Sequence, residues 1–293
     1  MALVEEQRNR LINFTFHSYA HLFETTRRDI YCQYPIPERR SWMDIVPGAS
    51  AAIRKTRILY HAVRAGNVLH ERFPVFGERV TTLRDSPEGD ITLLDGPEVQ
   101  EQIEPARVVF VYGWRLQTPA LVERHANKIR AYFQPVEQFE EASRRAVEQL
   151  RQKADVVVGV HIRMGDIRVW RGGMYFFPPE RYAGWMRELV EQFPARKVAF
   201  LICSDEPGAC GDFGEFTVGF GPGSALGDMY SLAKCDYVFG AVSTFSQWAS
   251  FYGGKPLFHL YNKTDRLRLQ NFRVSYLDVP SRKKLLTQPA PVL

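Results

Sequence analysis

The sequence predicts an α/β protein whose C-terminal half is a parallel, doubly wound sheet. Three observations predict it. The run Val156-Val157-Val158-Gly159-Val160-His161-Ile162 is β-branched with no polar alternation, as in a central strand covered on both faces. After it, apolar runs of strand length alternate with stretches of helical periodicity up to residue 262. Polar side chains cluster where these runs end, which is where open α/β sheets hold ligands.

In chain order, residues 9–28 read as a helix, with Leu11, Phe14, Tyr19, Leu22 and Phe23 forming an apolar stripe. Tyr34 to Gly48, with three prolines and Trp42, reads as loop. Short, weakly patterned segments follow at Val75-Phe76 and Ile91-Thr92-Leu93-Leu94. Arg107 to Tyr112 is predicted to be a buried strand, and Pro119 to Phe133 a helix that Pro135 stops. A charged helix covers Phe139 to Lys153, and the domain boundary is placed just before Val156, giving units 1–154 and 155–265 and a tail at 266–293.

Beyond strand 156–163 lies a loop at Trp170-Arg171-Gly172-Gly173. The aromatic, Gly-rich stretch Trp170 to Phe177 reads either as a packed turn or as an edge of a sugar pocket. A helix begins after Pro178-Pro179, with Tyr182, Trp185, Met186, Leu189 and Phe193 on one face. Val198 to Ile202 is the next strand. Gly219-Phe220-Gly221-Pro222-Gly223 follows no recognisable strand and is assigned to a flexible loop rather than a dinucleotide loop. Leu226 to Ala233 is a helix, Tyr237 to Val242 a strand, Phe245 to Tyr252 a helix and Pro256 to Leu260 a strand.

Composition narrows the classes of function. The chain has 293 residues, 45% hydrophobic and 24% charged, which suits two globular domains. Its net charge of +5 is compatible with a nucleotide, an anionic lipid or a nucleic acid as partner. The basic residues are dispersed, with local clusters at Arg39-Arg40, Arg144-Arg145 and Arg282-Lys283-Lys284, and no nucleic-acid-binding signature is present, so nucleic acid is not expected. Cys32, Cys203, Cys210 and Cys235 form no Cys-x-x-Cys pair, so neither a zinc site nor a redox motif is expected. No apolar run is long enough to span a membrane, and Met1 to Glu6 does not read as a signal peptide. A cytoplasmic protein with reduced thiols is the expectation.

Three strand ends carry candidate chemistry: His161, Arg163 and Asp166; Ser204 and Asp205; and Ser243-Thr244-Phe245-Ser246. Arg163 offers a planar fork of donors suited to a diphosphate. The Ser-Thr-Phe-Ser run lies between a strand and a helix, where hydroxyls, free amides and the helix dipole favour an anion; ordinary N-capping is the alternative. Asp205 suits a ribose hydroxyl or a base amine, or else a turn before Pro207. No Asp-x-Asp occurs, so no metal is expected on a diphosphate.

These residues resemble a known family. His161-Ile162-Arg163-Met164-Gly165-Asp166 is similar to the His-x-Arg-Arg-Gly-Asp motif of bacterial α-1,2-fucosyltransferases (glycosyltransferase family 11) and the related α-1,6- and protein O-fucosyltransferases. Ser204-Asp205-Glu206 resembles their Ser-Asp-Asp strand end. Asp228-Met229-Tyr230 through Cys235, then Ser243-Thr244-Phe245-Ser246-Gln247-Trp248-Ala249, resembles their Asp-Met…Cys…Ser-Thr-Phe-Ser-Trp-Trp-Ala stretch. Tyr112-Gly113-Trp114-Arg115-Leu116-Gln117 resembles their Gly-Tyr-Phe-Gln segment.

The resemblance implies two Rossmann-like domains facing a cleft (the GT-B arrangement), an acceptor-side N-terminal domain and metal-independent transfer of fucose from GDP-fucose with inversion, without a cofactor. It implies that Arg163 meets the diphosphate, His161 and Asp205 contact the guanosine, and Ser204 and Ser243, Thr244, Phe245 and Ser246 complete the donor site. Asp166 is the nearest named carboxylate for a general base, or else the residue that fixes Arg163. The expected acceptor is a glycan or lipid-linked oligosaccharide, reached by peripheral contact at the inner face of the membrane. The sequence departs from the family at Met164 and Gln247, and in its opening stretch, where Asn9 matches the Asn of a Gly-Gly-x-Gly-Asn loop but no apolar strand precedes it. The first strand is therefore expected to be missing over residues 1–8. A non-catalytic GDP-sugar-binding protein, a transferase using another nucleotide sugar and a basic nucleic-acid binder are the rival expectations.

Overall fold

The computed structural model describes residues 19–28, 61–62, 65–70, 72–73, 79–84, 91–113, 115–206, 208 and 211–277. Asn9, the expected absence of a strand at residues 1–8, Trp114, Cys32, Cys210 and the loop at 34–48 lie outside these residues. The described chain divides into a unit ending at Val136 and a unit spanning Glu137–Leu277.

In the first unit, strand β1 (Val80–Arg84) and β2 (Thr92–Leu93) precede helix α1 (Pro97–Ile103). Strands β3 (Val108–Tyr112) and β4 (Leu116–Gln117) follow, then helices α2 (Pro119–Arg124) and α3 (Ala126–Tyr132). β1 pairs in parallel with β3, and β2 in parallel with β4. Leu83, Val99 and Ile103 bury themselves between β1 and α1. Three expectations change here. Residues 19–28 form two 3-10 turns, Ala20–Leu22 and Thr26–Arg28. The helix expected over 119–133 breaks at His125, whose ψ of 16° leaves the helical range. β3 is only partly buried, with Val108 45% and Val111 51% exposed.

The second unit opens with helix α4 (Glu137–Arg151), whose Val147 and Leu150 pack against Val157, Ala199 and Leu201 of the sheet. This apolar seam puts the boundary before α4, eighteen residues ahead of the place the sequence suggested, because amphipathicity alone does not tell which neighbour a helix covers. The elements that follow are β5 (Val156–Ile162), α5 (Pro179–Val190), β6 (Val198–Ser204) and β7 (Thr217–Phe220). Then come α6 (Ala225–Leu232), β8 (Tyr237–Ala241), α7 (Thr244–Gly253) and β9 (Leu257–Leu260). All five strands are parallel, in the order β7-β6-β5-β8-β9.

Every residue of β5 is buried, and its alternate side chains enter two different cores. Val156, Val158, Val160 and Ile162 meet α5 through Tyr182, Trp185, Met186 and Leu189, while Val157 meets α4, α6 and the start of the β8 layer. A strand covered on both faces has no use for polar alternation, which explains its uniform sequence. The Gly219–Gly223 stretch begins within a strand, contrary to expectation. Gly219 lies inside β7, the edge strand, where Thr217 and Phe220 are exposed and dilute the apolar signal. Residues 266–277 are no detached tail. Leu267 and Phe272 are buried in the α5-side core, and Leu257 and Arg273 exchange both backbone hydrogen bonds. No helix among the described residues is long and apolar enough to cross a membrane.

Candidate active site

The strand order reverses between β5 and β8. From β5, one connection leads outward to β6 and β7, while the other half of the chain builds β8 and β9 on the opposite side. At such a switch point the connecting loops diverge and leave a crevice at the strands' carboxyl ends. The polar strand ends identified in the sequence border this crevice.

β5 ends in His161 and Ile162, and Arg163 follows immediately. Arg163 is held by Asp166 through both forks, Nε to Oδ1 at 3.0 Å and Nη2 to Oδ2 at 2.7 Å. The pair is partly exposed, 31% for Arg163 and 64% for Asp166, so its net contribution to folding is under about 1 kcal/mol. Its geometric effect is larger: both Asp166 oxygens are spent on fixing the guanidinium, and Nη1 stays outside the pair. Asp166 thus orients the Arg163 guanidinium.

Asp205, just past the end of β6, is exposed and bonds to the backbone of the turn after β5. Its Oδ1 accepts from Met164 N at 2.7 Å and its Oδ2 from Gly165 N at 3.0 Å. The carboxylate thus ties the turn after β5 to the end of β6. Gly165 eases that approach, since a Cβ there would sit 3.0 Å from Asp205 Oδ2 and push the carboxylate back. Ser204 Oγ accepts from Glu206 N at 3.1 Å and closes the neighbouring turn, while Glu206 pairs with Arg168 at 2.8 Å. Neither Arg168 nor Glu206 stood out in the sequence, because an ion pair spanning 38 positions has no local signature.

On the β8 side, Ser243 caps α7, its Oγ accepting from Phe245 N at 3.1 Å. Thr244 is exposed at the first helical position, beside the open first-turn amides of the helix. Ser246 is fully buried. Its hydroxyl donates to Ser243 O at 3.1 Å and lies 3.1 Å from His259 Nε2. Which of Ser246 and His259 donates follows from the tautomer of His259. Ser246 is therefore part of the support of the helix. His259 was not singled out in the sequence; a lone His in the apolar run Leu257 to Leu260 was the available signal.

His161 joins the two sides. It pairs in register with Gly240 of β8, and its ring stacks on Phe245 of α7, with centroids 4.8 Å apart and planes 24° from parallel. Burial, with the Arg163 charge adding to it, lowers the His161 pKa to about 4, against the opposing pull of Asp205. His161 is thus neutral near pH 7, and its Nδ1 is buried without a hydrogen-bond partner. On the other face of the sheet the Tyr182 hydroxyl is also buried. The backbone of Ala241 and Arg163 lies near it, but none of its groups reaches hydrogen-bond geometry.

Asp228 of the expected Asp-Met motif lies in the first turn of α6, where its Oδ1 accepts from Gly223 N at 2.8 Å and burial raises its pKa. Among the described residues, no group of three or more His, Cys, Asp or Glu is placed to hold a metal ion.

The structure therefore brings together His161, Arg163, Asp166, Ser204, Asp205, Ser243, Thr244, Phe245 and Ser246 at the carboxyl ends of β5, β6 and β8. Of these, Asp166, Asp205 and Thr244 are exposed, Arg163 is partly exposed, and His161, Ser243 and Ser246 are buried. No protein-family model and no curated protein matches the chain. Among solved structures, it is similar to a mutant of FUT1 from Arabidopsis thaliana in complex with GDP, at 17% identity and a TM-score of 0.41, over 63% of this chain and 51% of that one. It is also similar to POFUT1 in complex with GDP, at 14% identity and a TM-score of 0.33, over 55% of each chain. The chain thus spans about half the length of each of these two structures.

Proposed function

We propose that this protein is a glycosyltransferase that moves fucose from GDP-fucose to a hydroxyl of a glycan acceptor, without a metal ion and with inversion. One observation carries the reading. Arg163 at the end of β5 and the N-terminus of α7 after β8 flank the switch point of the sheet, fastened to each other by the His161–Phe245 stack. A diphosphate there would meet a guanidinium on one side and helix amides with the dipole on the other. The motif resemblance supplies the identity of the nucleotide and the sugar.

In this mechanism the acceptor oxygen forms a bond to the anomeric carbon while the bond to the β-phosphate oxygen breaks, and the acceptor hydroxyl's proton passes to water. The electron pair of the broken bond stays on GDP. Arg163 and the α7 amides receive that charge in positions fixed beforehand, so little reorganisation is needed as it develops. Asp166 holds the guanidinium in plane, Asp205 holds the turn, and Ser243, Ser246 and His259 hold the helix. Neutral His161, buried beneath the strand end, braces Phe245 at the start of α7.

The direct test is turnover with GDP-fucose, GDP-mannose and UDP-glucose across a panel of glycan acceptors, with binding of each donor followed by calorimetry. Transfer from GDP-fucose in preference to the others is expected. Binding of none of the three would overturn the reading, and binding of GDP-fucose without transfer to any acceptor would favour a GDP-sugar-binding protein.

A further inference from the structure

The connection from β5 to α5 runs through two 3-10 turns, Asp166–Arg168 and Trp170–Gly173, and at its tip it does something costly. Val169 is 80% exposed, more than any other large apolar residue among those described, and Trp170 beside it is 40% exposed. The backbone enforces this display. Arg171 has φ 51° and ψ 41°, a left-handed conformation unusual for a residue with a side chain, and Gly172 and Gly173 also have positive φ. Gly173 admits no side chain, because a Cβ would lie 2.7 Å from Arg168 O. Gly172 N donates to Val169 O and Val169 N to Asp166 O, which closes the tip on itself.

The Trp170 ring is not an open platform. Tyr175 packs against it at 5.3 Å with planes 32° apart, and the Arg171 guanidinium lies 5.1 Å from its centroid. A pyranose needs a free ring face for stacking, whereas what Trp170 and Val169 present outward is an apolar edge. Two arginines flank that edge. Arg168 is paired with Glu206, and Arg171 has no acidic partner among the described residues. A short apolar wedge with an indole beside it and an unneutralised guanidinium behind it matches the interface of an anionic bilayer. There the aliphatic group enters the acyl boundary, the indole sits at headgroup depth and the cation meets lipid phosphate.

We propose that the Val169–Trp170 tip is a peripheral membrane-docking element selective for anionic lipid. It begins three residues after Asp166, so docking sets the rim of the candidate donor site against the bilayer. The proposal goes beyond the transferase reading and does not depend on it.

The test is co-sedimentation of the full chain with vesicles of phosphatidylcholine alone and of phosphatidylcholine mixed equally with phosphatidylglycerol. The wild-type chain is expected to partition onto the mixed vesicles and much less onto the neutral ones. Val169→Ser should weaken partition about tenfold, the value of one aliphatic side chain removed from water. Arg171→Gly should weaken it about fivefold, the worth of one cation near an anionic surface. Gly is at ease at positive φ, so Arg171→Gly should keep or raise thermal stability, and neither change should alter GDP affinity. The proposal is overturned if the wild-type chain stays in the supernatant, partitions equally onto both vesicles, or binds as before when Val169 is changed. Sedimentation velocity adds a check: self-association abolished by Val169→Ser would assign the tip to a second copy of the chain instead.

Discussion

His161 and Phe245 lie face to face at 4.8 Å, one on the central strand and the other in the first turn of the helix after the neighbouring strand. This stack fixes the distance between the Arg163 turn and the α7 N-terminus, the two groups that would share a diphosphate. It also places a titratable ring where water cannot solvate its charged form, which links the site to pH.

Acid should destabilise the fold through His161. Its pKa in the folded state, about 4, lies below the ordinary value of 6.5, so the unfolded chain binds the extra proton between the two. Stability therefore rises with pH through that window and falls as pH drops from 6.5 towards 4, by about 3 kcal/mol in all. Urea unfolding at a series of pH values should show this slope in the wild-type chain and a flatter one in His161→Gln. Identical slopes in the two proteins would show that His161 titrates normally.

Asp205 is predicted to act through the backbone. Asp205→Ala removes the acceptors of Met164 N and Gly165 N and should cost about 1–2 kcal/mol, with GDP affinity falling because the Arg163 turn loosens. A change in affinity with an unchanged unfolding midpoint would mean that Asp205 contacts the nucleotide itself.

Ser243 and Ser246 should separate. Each serves the helix, so each Ala substitution should cost about 1 kcal/mol of stability. Ser243→Ala, at the mouth of the helix, should also weaken GDP binding, whereas Ser246→Ala, fully buried against His259, should leave it within a few-fold of wild type. Calorimetry and thermal melts on the two variants check this; a larger loss of affinity in Ser246→Ala would reverse the assignment.

The C-terminal sheet was largely legible in the sequence because its strands are short, apolar and separated by strong helical patterns. β5, β6, β8 and β9 fall where the residues said. β7 was missed because an edge strand with Gly219 at its centre has too few apolar side chains to signal. β1 was missed because Val80 to Arg84 is largely polar. Around the candidate site, the polar residues singled out in the sequence do fall at the ends of β5, β6 and β8, since position at a strand end follows from local pattern. It could not tell which groups these residues bond to. Asp205 bonds to the backbone of Gly165 and Ser246 to His259, contacts that depend on tertiary approach across 40 and 13 positions.

Tyr182 offers a stability test of the sheet's other face. Its hydroxyl is buried without a hydrogen bond, and Tyr182→Phe removes only that oxygen. The unfolding midpoint should hold or rise, by up to about 1 kcal/mol in stability, because an unsatisfied buried group is unfavourable. A clear loss of stability would reveal a bond to the backbone of Ala241 or Arg163.

The central claim concerns Arg163, and kinetics of GDP-fucose turnover beside thermal stability for Arg163→Ala, Arg163→Lys and Asp166→Ala test it most directly. Arg163→Ala should remain folded, since its partly exposed pair with Asp166 contributes little, and should lose about 100- to 1,000-fold in rate. Arg163→Lys should recover little of that, because an ammonium lacks the fork. Asp166→Ala should retain more activity than either, as it frees the guanidinium without removing it. A folded Arg163→Ala protein that turns over GDP-fucose at close to the wild-type rate would contradict the account.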